Sequence, residues 1–163
     1  MTTRLPSLIV WVVLALAHPV AAPALDFDLR LDRLSEAFQL LPETDRGTVD
    51  EVLAMLKKGD HQEALRRLNM LNQTNPENSS LRVLTAYGLL QVGNLLGAFD
   101  EARKAERASN GNAYKCWFLS KVALINGDTM ACRRELGHVK DSKDKGLRQE
   151  VKQVEEQLKK RRG

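Results

Sequence analysis

Cys116 and Cys132 are the only thiols in the sequence. In an oxidising compartment they are a candidate disulfide, and a bridge closing a loop of about 16 residues would contribute roughly 3 kcal/mol. His61 and His138, the two histidines beyond residue 24, stand far apart, and no Cys, Asp or Glu lies at a spacing typical of metal ligands. Neither a metal nor a cofactor is therefore expected. The chain has no glycine-rich phosphate loop, no His-Glu-x-x-His and no serine-centred nucleophile turn. Its carboxylates fall at helical-surface spacings, so nothing supplies a paired, perturbed set of titrating groups, and the chain reads as a non-enzyme. Recognition is the chemistry that remains. Tyr87, Tyr114 and Trp117 are large amphipathic aromatics of the kind that carry about 2 kcal/mol or more each at binding hot spots. Lys159, Lys160, Arg161 and Arg162 form a basic cluster able to contact an anionic membrane surface.

The elements that must position these residues recur. Gly59-Asp60-His61-Gln62-Glu63-Ala64-Leu65 reads as a tight turn entering an amphipathic helix, and the same shape returns from Gly93 and from Gly127, so that the glycines are 34 residues apart both times. A small residue follows each glycine by five positions: Ala64, Ala98 and Cys132. A fixed period of this length predicts an all-α array of helix-turn-helix units, each burying its apolar face by stacking on its neighbours. Three units are expected, over 45–78, 79–112 and 113–146. In the first, Thr48 is the expected cap with Glu51 in the capping-box position, Gly59 the left-handed stop, and Asn75-Pro76 the end of the second helix. Ser79 or Ser80 opens the second unit. Ahead of the array, Leu29 to Leu41 predicts a helix with Leu31, Leu34, Phe38 and Leu41 on one face, stopped by Pro42 and serving as an end piece (residues 25–44). Behind it, residues 143–163 predict a capping helix with a narrow stripe of Leu147, Val151, Val154 and Leu158, which is equally a coiled-coil seam for a homodimer.

These residues resemble the tetratricopeptide repeat family over about residues 29 to 160. The carriers are Gly59, Gly93 and Gly127, the small residues Ala64, Ala98 and Cys132, and Pro42 and Pro76 at the repeat ends. The pattern departs from the family early in each first helix, where Thr48, Arg82 and Cys116 replace a large aromatic. The resemblance implies a right-handed superhelix without catalysis, whose first helices line a concave groove for a peptide or helix of a protein partner. Carried over by position, the inner wall holds Val83, Tyr87 and Gln91 from the second unit and Tyr114, Trp117 and Lys121 from the third, with Arg46, Val49 and Leu53 in the first. Val49 and Leu53 stand where the chaperone-binding members carry their carboxylate clamp, so an apolar and aromatic groove is expected instead. Tyr114, near a helix start, is expected to stay accessible. The resemblance also sets Ser120, one turn from Cys116, against Cys132, so the disulfide and two separate thiols both remain open.

Residues 1 to 24 read as a secretory signal: Arg4, the apolar run Leu8 to Ala17, and a small-residue cleavage zone ending at Ala22 or Ala24. The expected location is periplasmic or secreted. Beyond that segment the charge is divided. Residues 25–102 carry 8 basic and 13 acidic side chains, and residues 103–163 carry 16 and 8. Such a dipolar chain steers charged partners, and export makes nucleic acid a poor partner.

Overall fold

The computed structural model describes Leu29 and residues 33–160, the side chain of residue 36 apart. The described residues are all-α: α1 (Ser35–Gln39), α2 (Glu43–Lys58), α3 (His61–Thr74), α4 (Ser79–Gln91), α5 (Leu95–Arg107), α6 (Ala113–Ile125), α7 (Thr129–Lys140) and α8 (Lys145–Lys160). None of these helices is long and apolar enough to cross a membrane. The expected export signal lies outside the described residues.

The turns inside the helix pairs repeat in atomic detail. Gly59, Gly93 and Gly127 have φ of +85°, +77° and +81°, the left-handed region that only glycine enters without steric cost. At each of them the glycine N–H bonds back to the carbonyl three residues earlier, and the following residue's N–H reaches five back: Asp60 to Met55, Asn94 to Leu89, Asp128 to Ala123. This satisfies carbonyls that the helix end would otherwise leave unmatched. The next helix starts at once. Asn94 Oδ1 accepts from the Gly97 N–H and Asp128 Oδ1 from the Ala131 N–H, at 3.0 and 2.9 Å.

Between units the caps differ from expectation. Asn78 accepts from the N–H groups of Ser80 and Leu81, and Asn112 from those of Tyr114 and Lys115, whereas Ser79 and Ser80 lie inside α4. Asparagine wins because its carbonyl oxygen reaches two orphan donors from a residue still outside the helix. Thr48 is no cap either. α2 begins at Glu43, directly after Pro42, and the Thr48 hydroxyl donates to the Thr44 carbonyl within the helix. Glu51 pairs instead with Arg67 of α3.

Packing follows the chain. Each helix from α2 to α7 packs mainly on its sequence neighbours, and α8 packs on both α7 and α6. α4 and α6 are buried nearly all round, and the helices outside them are amphipathic. Close approach relies on small residues: Ala98, Ala102 and Ala105 of α5 are fully buried, and a Cβ on Gly88 of α4 would sit 3.0 Å from Leu65 Cδ2 of α3.

At the carboxyl end α8 lies on α7 and α6 with its apolar stripe inward, as a capping helix would. Leu147, Val151, Val154 and Leu158 are buried against the chain itself, so the homodimer seam is corrected: the stripe is already covered. The amino-terminal helix is only five residues long. Its contacts reach well beyond α2. Asn78 Nδ2 donates to the Ala37 carbonyl at 3.3 Å, the Tyr114 hydroxyl to the Leu29 carbonyl at 2.5 Å, and Arg33 meets Asp144 at 2.5 Å. The segment thus touches the amino ends of α4, α6 and α8, held by Leu34 and Phe38 in the core. Residue 31 of the expected apolar face lies outside the described residues.

Candidate functional site

The expected wall sorts by helix position. Residues 49, 83 and 117 are 34 apart, and Val49, Val83 and Trp117 are all buried, Trp117 completely. Four residues on, one helical turn, Leu53, Tyr87 and Lys121 are each half-buried, as is Gln91. The same angular position on successive helices therefore faces the core, and its neighbour one turn along meets the core's edge. Val83 and Trp117 are corrected from wall to core. Tyr114 is corrected too: it is 5% exposed, its hydroxyl is held by Leu29, and its ring lies 5.4 Å from that of Trp117. Lys121 stands 5.0 Å over the Trp117 ring and pairs with Glu150 of α8 at 3.5 Å. The aromatic surface expected on the third unit is thus covered by the leading segment and by α8.

The open part of the wall is at the other end. Between α1 and α2 lies a cleft of about 610 Å³. Phe38, Val49 and Leu53 give it an apolar base, and Glu43, Arg46, Asp50, Ser35 and Gln39 supply its polar lining. The α2 helix places Arg46, Val49, Asp50 and Leu53 at spacings of three and four, on one face. Arg46 reaches toward Gln39 across the cleft, at 3.5 Å. A concave site with an apolar floor and a few polar groups can hold the apolar face of a peptide or helix. Arg46, Val49 and Leu53 were legible as residues of one α2 face, although Val49, like Val83 and Trp117, is buried in the core and only reaches the cleft floor. Phe38, Gln39 and Glu43 were not, because only the short α1 brings them there.

A second constellation is one that sequence spacing misses. No disulfide joins Cys116 to Cys132. The helices of the third unit run antiparallel, which sets Cys116 against Glu135 and His138, a turn beyond Cys132. Cys116 Sγ is 3.9 Å from His138 Nδ1, which is 3.7 Å from Glu135 Oε2. Glu135 is 2% exposed. Its Oε1 accepts from Arg134 Nε at 2.8 Å, and its buried Oε2 has no hydrogen-bond partner. Burial, helped by the charges of Glu135 and Glu106, pushes the Cys116 thiol up to about 12, so it stays protonated at neutral pH. His138, which has no neighbour at a metal-ligand spacing in the sequence reading, has Cys116 and Glu135 beside it in space. An i,i+3 pair on one helix and a single residue 19 positions before it in sequence leave no short motif; only helix pairing, testable by matching positions across the Gly127 turn, would have shown it.

No protein-family model and no curated protein matches this chain.

Proposed function

We propose that this chain is a non-enzymatic protein-interaction module, a tetratricopeptide-like array that receives a peptide or helix of a protein partner in the α1–α2 cleft. The observation that carries this reading is the cleft of about 610 Å³ with Phe38, Val49 and Leu53 at its base. Two acids and one base in its lining, Glu43, Asp50 and Arg46, favour a segment that is apolar on one face and flanked by positive charge. The acidic balance of residues 25–102 steers the same kind of partner. The 34-residue recurrence of turns, caps and core positions supports the repeat reading. Arg4, the run from Leu8 to Ala17 and the small residues after it support work outside the cytoplasm, in the cell envelope or secretory compartment.

The test compares partner capture from the native source by the wild-type chain, by Leu53→Asp and by Met130→Asp, an exposed position on α7. Capture lost with Leu53→Asp and retained with Met130→Asp is the expected result. Equal recovery by all three, with each variant folded by circular dichroism, would remove the cleft from the function. The alternative, a membrane adaptor using the basic end of α8, is limited to surface charge because the helix's apolar stripe is buried. Salt-sensitive binding to anionic vesicles that is lost on deleting residues 159–163 would revive it.

A further inference from the structure

We propose that Cys116, Glu135 and His138 form a binding site for a divalent ion of the zinc class, which clamps α6 to α7. One ligand atom from each of the three lies within 4.8 Å of the others. Around a tetrahedral zinc with ordinary bond lengths, ligand atoms are separated by roughly 3.3–3.8 Å. The Sγ to Nδ1 and Nδ1 to Oε2 distances of 3.9 and 3.7 Å are therefore close to a coordinating arrangement before any ion is bound.

A second observation points to a ligand. Glu135 Oε2 is a buried carboxylate oxygen with no partner at ordinary hydrogen-bond geometry, 3.7 Å from the His138 ring nitrogen and beside the Cys116 thiol, while Arg134 engages the other oxygen. A cation between the three groups would match that oxygen. The donor set is one sulfur, one nitrogen and one oxygen, which suits zinc and its transition-metal neighbours and disfavours magnesium and calcium, whose sites are built from oxygen. Access comes from the His138 side, whose side chain is 55% exposed, whereas Cys116 and Glu135 are buried. Three protein ligands leave a fourth position for water on that side. On binding, the Cys116 S–H bond breaks, its proton leaves to solvent, an Sγ–metal bond forms, and no electron is transferred. The site joins α6 to α7 and is separate from the α1–α2 cleft, so neither proposal depends on the other.

The test uses the full chain with its thiols reduced and Co²⁺ as the probe. One Co²⁺ per chain should bind with a near-ultraviolet thiolate-to-cobalt absorption, and Zn²⁺ should displace it. His138→Ala, at an exposed position, preserves the fold and should weaken Co²⁺ binding by about tenfold or more. Glu135→Gln should do the same, and Cys116→Ser should remove the thiolate absorption. Absence of that absorption in the wild-type chain, or weakening of less than about tenfold in folded His138→Ala, would overturn the site.

Discussion

The first and third helix pairs are built on one plan and end up with opposite surfaces. Val49 and Trp117 hold equivalent positions, as do Leu53 and Lys121, and the Schellman-type turns at Gly59 and Gly127 are made of the same hydrogen bonds. Yet the first pair leaves an open cleft beside α1, while the third is covered by α8 and by the residues leading into α1. A helix position fixes which way a side chain points. What lies over it is decided by elements distant in the sequence.

The contrast can be broken first at Trp117. Trp117→Ala should lower stability by about 3–5 kcal/mol, whereas Leu53→Asn should cost about 1 kcal/mol, both read by urea denaturation. Similar losses at the two would mean that the third pair is no more closed than the first. The turns should instead behave alike. Gly59→Ala and Gly127→Ala should each cost roughly 1–2 kcal/mol, because both must hold alanine at positive φ. A large difference between them would show that the two turns are not equivalent. Tyr114→Phe sharpens the role of the leading segment. Loss of the hydroxyl bond to Leu29 should cost about 1 kcal/mol and expose that segment to limited proteolysis.

The smallest effect belongs to the first pair. Arg66, and then Arg67, hydrogen-bond to Glu63 and hold its carboxyl down at about 2, against an ordinary 4.5. The depressed value means that the stabilisation is full above pH 4.5 and is lost as the pH falls toward 2. The gap in unfolding midpoint between wild type and Glu63→Gln should therefore be small, present at neutral pH and closed near pH 2. A gap that is constant across this range would count against the ion pairs.

Periodicity made the helix pairs legible. Glycine at a left-handed turn and apolar residues every three or four positions are local requirements, so Gly59, Gly93 and Gly127 marked their turns without reference to the rest of the chain. The Asn78 and Asn112 caps were legible in principle, since they share the same 34-residue spacing, but neighbouring serines and Thr48 satisfied the same rule. The stripe from Leu147 to Leu158 identified a buried face without saying what buries it.

By itself, then, the order of residues determined the all-α class, the pairing of helices and the facing of most core side chains, because each depends on backbone geometry within a few turns. Tertiary structure alone decided that Tyr114 is covered, that the open cleft lies between α1 and α2, and that Cys116, Glu135 and His138 converge. Those outcomes depend on contacts between residues as far apart as Leu29 and Tyr114, and side-chain period carries no record of such distances.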